Sequence, residues 1–127
     1  MGNLNSKRIT ILGTAFKPNT DDVRDSIAIE LIKKLLRKKV KITIHDPKAL
    51  ENTRKIFGNK INYSRSVGDA LSKSQCVILM TQWKQYEKLG NNEFKQMTKK
   101  IVIDGRRMLS GKQLDVDYFA IGLGKEK

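Results

Sequence analysis

Cys76-Val77-Ile78-Leu79-Met80 is an unbroken apolar run of strand length. A strand with one wet face alternates in polarity. An unbroken run is the mark of a strand covered on both faces, as in a parallel sheet. Other segments fit beside it. Lys7-Arg8-Ile9-Thr10-Ile11-Leu12-Gly13 is rich in β-branched residues and closed by a glycine. Val40-Lys41-Ile42-Thr43-Ile44-His45 alternates and is stopped by Asp46-Pro47. Ile61-Asn62-Tyr63 reads as a short edge strand, and Ile101-Val102-Ile103 as a buried strand ending at Asp104-Gly105. Tyr118-Phe119-Ala120-Ile121-Gly122 supplies the last strand.

Helical patterns lie between these strands. Residues 26–39 carry apolar pairs at Ile27/Ala28, Leu31/Ile32 and Leu35/Leu36, with Lys33, Lys34, Arg37 and Lys38 on the other face. Asp25 or Ser26 is placed to cap the first turn. Shorter helices are expected over 48–57, over 67–71 and around Glu93 to Met97. Strands alternating with helices imply right-handed βαβ units. The expected fold is a doubly wound, Rossmann-like α/β domain: a mostly parallel sheet with helices on both faces, a three-layer sandwich. A length of 127 residues, with no linker, repeat or low-complexity stretch, makes residues 1–127 one domain.

Composition excludes several classes. Lys and Arg total 26 against 13 Asp and Glu, a net charge of +13, and 39% of the residues are hydrophobic. That is too apolar and too evenly patterned for a disordered chain. No apolar run reaches the length of a membrane-spanning helix. One cysteine builds no intrachain disulfide. The first residues lack the form of a secretion signal, so the expected location is the cytoplasm.

In an open parallel sheet, ligands sit beyond the carboxyl ends of the strands, near the switch in strand order. The loops to read therefore follow residues 13, 45, 80 and 104. The first, residues 13–25, is long for a βα connection. It carries Phe16, Lys17, Asp21, Asp22 and Arg24. The third holds Trp83, the only tryptophan, and the fourth reads Asp104-Gly105-Arg106-Arg107. Arginine forks match phosphates or sugar hydroxyls, and lysine supplies a point charge. A phosphorylated ligand on this rim is the chemical expectation. Each feature also has a purely structural reading. Asp21-Asp22 fits a charge cluster at a helix N-terminus. The 104–107 loop fits a surface ion pair, and Trp83 fits a packing residue.

Other chemistry is missing. The first loop holds only Gly13, not a three-glycine dinucleotide fingerprint. Gly122 and Gly124 have no helix after them. His45 is the only histidine and has no metal-binding companion. Cys76 opens a buried strand without a base beside it and reads as an inert core thiol.

The stretch from Gly13 to Ser26, with Ala15-Phe16-Lys17, Thr20-Asp21-Asp22, Arg24 and Ser26, resembles the signature G-x-A-F-K-x-x-T-D-D-x-R-x-S. That signature opens the C-terminal domain of the UDP-glucose/GDP-mannose dehydrogenase family. His45-Asp46-Pro47 resembles the family's Y-D-P, and Ile78-Leu79-Met80-Thr81-Gln82-Trp83 its I-L-T-E-W. Val102-Ile103-Asp104-Gly105-Arg106 resembles its V-I-D-G-R, and residues 118–122 its closing Y-x-x-I-G. The matches come in family order, and Pro18-Asn19-Thr20 is nearer to the UDP-sugar enzymes than to GDP-mannose dehydrogenase.

The resemblance implies a domain that closes over a nucleotide sugar, in enzymes that oxidise the sugar C6 alcohol to a carboxylate with NAD. Phe16, Lys17 and Arg106 would then contact the UDP-sugar, and Arg24 would reach across a cleft toward NAD. The partners implied are the N-terminal NAD domain and a central domain with the catalytic cysteine, which Cys76 does not match, in a homodimer. Gln82 replaces the family's glutamate. Alone, the chain is expected to be inactive.

Two other classes compete. A basic cluster at Lys33, Lys34, Arg37, Lys38, Lys39 and Lys41 suits a nucleic-acid-binding module, but it has no interleaved aromatics. A signalling receiver domain of similar topology needs an aspartate where the middle strand ends in Met80-Thr81.

Overall fold

A computed structural model describes residues 6–120. The end of the expected last strand, Ile121-Gly122, and the Gly122/Gly124 pair lie outside the described residues. Six strands are formed: β1 Arg8–Leu12, β2 Lys41–His45, β3 Asn62–Tyr63, β4 Cys76–Leu79, β5 Ile101–Asp104 and β6 Asp117–Ala120. They make one sheet in the order β3-β2-β1-β4-β5-β6, and every pairing is parallel. This is the doubly wound order expected of the pattern. The chain moves outward from β1 to β3, then returns past β1 to lay down β4. The switch point therefore falls between β1 and β4.

Period-two alternation divides the strand side chains between two cores. Ile9, Ile11, Ile42, Ile44 and Ile78 pack on the first face with helices α1 (Ile27–Arg37) and α2 (Leu50–Phe57). Leu12, Val77, Leu79 and Val102 pack on the second. That face is covered by α3 (Val67–Leu71), α4 (Lys84–Glu87) and α5 (Asn91–Phe94), through Leu71, Tyr86 and Phe94.

Helix α1 buries Ala28, Ile29, Ile32 and Leu35. The stripe differs from the apolar pairs at the first turn, where Ile29 is buried in place of Ile27, which stays 42% exposed. Ser26 is the N-cap, but its side chain makes no capping bond. The helix ends in a Schellman motif: Lys39 N–H donates to Leu36 O and Val40 N–H to Leu35 O, with Lys39 left-handed at φ 61°. The helix expected around 93–97 begins earlier, at Asn91, and α4 precedes it. The β5–β6 connection contains no helix.

Candidate functional site

The strands end in register. Leu12 lies beside His45 and Leu79, and Leu79 beside Asp104. Four loops therefore leave one rim, and two buried aspartates hold them.

Asp46 is 2% exposed and follows β2. Its Oδ2 accepts from Thr14 N–H at 2.9 Å, Ala15 N–H at 3.0 Å and the Trp83 indole N–H at 3.1 Å. Its Oδ1 accepts from Lys48 N–H at 2.9 Å and Ala49 N–H at 2.8 Å. One carboxylate thus joins the loops after β1, β2 and β4. Charge-assisted bonds of this kind are the strong ones. Thr81 adds a further tie, its hydroxyl donating to Ala15 O at 2.8 Å. Gly13 makes that closeness possible. At φ 97°, a Cβ there would sit 2.5 Å from Thr81 Cβ.

The loop tip is closed by Phe16 N–H donating to Asp22 O, and Asn52 Nδ2 donates to Asp21 O at 2.7 Å. Phe16 is 48% exposed and Lys17 is exposed beside it. Asp22 is not part of a charge cluster on α1, whose first residue is five positions later. Its carboxylate instead takes Arg24 Nε at 3.0 Å and Nη2 at 2.9 Å. The Arg24 hydrogen bonds hold the Asp22 carboxyl down at about 2. Arg24, with an 87% exposed side chain, projects from the rim already paired.

Asp104 is fully buried at the end of β5. Its Oδ1 accepts from Arg106 N–H, and its Oδ2 from Leu109 N–H at 2.7 Å and the Tyr118 hydroxyl at 2.8 Å. This corrects the surface ion pair expected over 104–107: Asp104 is a buried turn anchor. Arg106 Nε donates to Met80 O at 2.8 Å. That bond joins the loops after β4 and β5 and leaves the Nη groups of the fork uncommitted by any described bond.

Trp83 is buried, at 7% exposure, so it packs and also bonds Asp46. His45 is buried with its Nδ1 2.8 Å from the Tyr86 hydroxyl, and desolvation lowers its pKa. Cys76 is half-buried and packs against the first core, and burial pushes its thiol up to about 11. Among the described residues no three His, Cys, Asp or Glu side chains gather.

A dinucleotide pyrophosphate needs free backbone N–H groups at the turn after β1. In this chain Gly13 N–H donates to His45 O, and Thr14 and Ala15 N–H donate to Asp46. An internal carboxylate thus occupies the anion position, and the first loop does not fit an NAD pyrophosphate.

Residues 10–111 match the UDP binding domain of the UDP-glucose/GDP-mannose dehydrogenase family. The chain belongs to that family. A UDP-glucose 6-dehydrogenase of Haloferax volcanii is 42% identical over 115 residues, 91% of this chain and 26% of that protein. One from Rickettsia conorii is 36% identical over 126 residues, 95% of this chain and 29% of that protein. The structure of a UDP-glucose dehydrogenase from Pyrobaculum islandicum superposes with a TM-score of 0.79 at 34% identity, over 92% of this chain and 26% of that chain. This domain thus spans about a quarter of the length of the relatives it matches. Within it, the rim brings Phe16, Lys17, Arg24 and Arg106 onto loops from β1 and β5. Asp46, Asp104 and Thr81, which hold those loops, carry no signal as isolated residues. The strand-end position of each aspartate points to it, and all three stand within the motifs that carry the family resemblance.

Proposed function

We propose that this chain is the nucleotide-sugar-binding domain of an NAD-dependent oxidoreductase of the UDP-glucose 6-dehydrogenase type. The observation that carries this reading is a rim whose loops are fixed from below by Asp46 and Asp104, while Phe16 and Lys17 are exposed and the half-buried Arg106 keeps its Nη groups uncommitted by any described bond. Such preorganisation suits a group that positions a substrate for chemistry supplied elsewhere. Lys17 and Arg106 would neutralise and hydrogen-bond the diphosphate, and Phe16 would offer a ring to the base or sugar. Arg24 would face the cofactor across the cleft, and its pairing with Asp22 holds it extended from the loop. NAD supplies the hydride chemistry when bound, and the polypeptide that the relatives carry outside the matched quarter would bind it. The catalytic cysteine and a homodimer interface would come from that polypeptide too, in the cytoplasm. The names of the matched relatives support this assignment.

The nucleic-acid reading loses ground to the geometry. Lys33 is paired with Glu30 at 3.5 Å on α1, Lys34, Arg37, Lys38 and Lys39 form the solvated side of that helix and its C-terminal turn, and exposed Lys41 opens β2. Among the described residues no helix is long and apolar enough to cross a membrane.

Titration of the chain with UDP-glucose, followed by backbone NMR, tests the proposal. Shifts are expected at residues 16–24 and 104–107, with no dehydrogenase activity from the chain alone. Shifts confined to the opposite end of the sheet, where Arg8, Lys41 and Asn62 line a depression of about 280 Å³, would overturn it.

A further inference from the structure

The described helices cover each face least toward one outer strand, β3 on the second face and β6 on the first, and the residues there differ in kind. On the second face, the in-register row Thr10–Thr43–Asn62 runs outward from β1 to β3. Burial falls along it from buried to half-buried to exposed. On the first face, the row Ile78–Ile103–Phe119 runs outward from β4 to β6. Burial falls in the same way, from 8% exposure at Ile78, through a half-buried Ile103, to 54% at Phe119. Ile101 and Cys76 lie half-buried beside it. The two rows have the same geometry and opposite chemistry. Where the sheet meets water on the second face it is written in Thr and Asn. On the first face it is written mostly in Ile and Phe, with exposed Asp117 at the outer end of the Cys76–Ile101 row, as strands are when something covers them.

We infer that the first face of β4–β6 is a docking surface for the dehydrogenase polypeptide that the relatives carry outside the matched quarter, a contact separate from the ligand rim. The inference rests on the reading of this chain as one domain of such an enzyme. Two observations select the occupant. The chain spans only 26% of its relatives, so most of their length lies outside the match. A second copy would bring its own +13 to a chain already at +13, which opposes self-association.

The test mixes the whole chain with the Pyrobaculum islandicum enzyme from which the matched quarter has been deleted, after circular dichroism has verified that the remainder is folded. Wild type is expected to bind it. Phe119→Asp is expected to weaken binding at least about ten-fold, and Asn62→Asp, at the matching place on the polar row, to leave it unchanged. Phe119 is mostly exposed, so its variant keeps the fold, which circular dichroism verifies. Absence of binding at about 100 µM, or equal affinity of wild type and Phe119→Asp, overturns the inference. So does a dimer of the chain alone that Phe119→Asp dissolves. UDP-glucose titration of the same samples reads the rim separately. Docking lost with ligand binding kept counts against this surface alone. Ligand binding lost with docking kept counts against the rim assignment alone.

Discussion

The Trp83 indole N–H donates to Asp46 Oδ2 at 3.1 Å, with both residues buried at the edge of the second core. The bond ties the loop after β4 to the turn after β2 across the switch point. It shares its acceptor with Thr14 and Ala15 N–H. The carboxylate therefore acts as an internal anion for a turn that, in a dinucleotide-binding sheet, would hold a phosphate.

Asp46→Asn tests that role. An amide offers one acceptor oxygen and turns a donor toward backbone N–H groups. At least one of the five donors is left unpaired and buried. The expected loss of stability is about 3 kcal/mol, read by urea denaturation. Because Trp83 is the only tryptophan, its emission should shift to the red in the native variant.

Gly13→Ala meets two obstacles at once. The backbone is left-handed at φ 97°, and the new Cβ would lie 2.5 Å from Thr81 Cβ and 2.6 Å from Thr81 N. Strain and overpacking together should cost about 3 kcal/mol or more. Thr81→Gly should not rescue the variant, since the Thr81 backbone nitrogen remains in the way. Rescue in a denaturation experiment would show that the side-chain clash alone matters.

The strands were legible because buried parallel strands leave unbroken or alternating β-branched runs, and the rim followed from their ends. Helix α4 was not legible, because four residues, Lys84–Glu87, are too short to show a period, and only Tyr86 is buried. The stripe on α1 departed from the apolar pairs only at the first turn, where Ile29 rather than Ile27 is buried. Asp46 and Asp104 were hidden for a different reason. A lone aspartate before Pro47 or Gly105 reads as a turn residue, and only three-dimensional closure shows how many donors converge on it.

Lys39 closes α1 with φ 61°, where a side chain is strained and glycine is not. Relief of about 1 to 2 kcal/mol is partly offset by the entropy of a freer unfolded chain. Lys39→Gly should therefore stabilise the domain by about 0.5 to 1 kcal/mol, while Lys39→Ala, which keeps a Cβ, should not. Paired denaturation curves of the two variants decide the point.

His45 is the only histidine, and its desolvated ring titrates below the ordinary value of 6.5. The unfolded chain then binds the proton more readily than the folded one. The contribution of His45 is fully present above pH 6.5 and is lost as pH falls toward its folded pKa. Stability should decline between about pH 6.5 and 5, before most carboxylates titrate. His45→Gln should flatten that part of the profile. An unchanged slope in the variant would assign the decline to other groups.

Arg106 separates geometry from charge in ligand binding. Its Nε is committed to Met80 O and its backbone N–H to Asp104, so the guanidinium plane is set before any ligand arrives. Arg106→Lys keeps the positive charge, but an ammonium has no planar fork and cannot hold Met80 O while presenting two parallel donors. If the fork is what recognises the diphosphate, Arg106→Lys should weaken UDP-glucose binding by about ten-fold, close to the loss in Arg106→Ala. Lys17 has no such anchor among the described bonds. Lys17→Arg should therefore keep most of the affinity that Lys17→Met loses. Calorimetric titration of the four variants reads this asymmetry. Wild-type affinity in Arg106→Lys would mean that position 106 contributes charge alone and that its bond to Met80 serves only the loop.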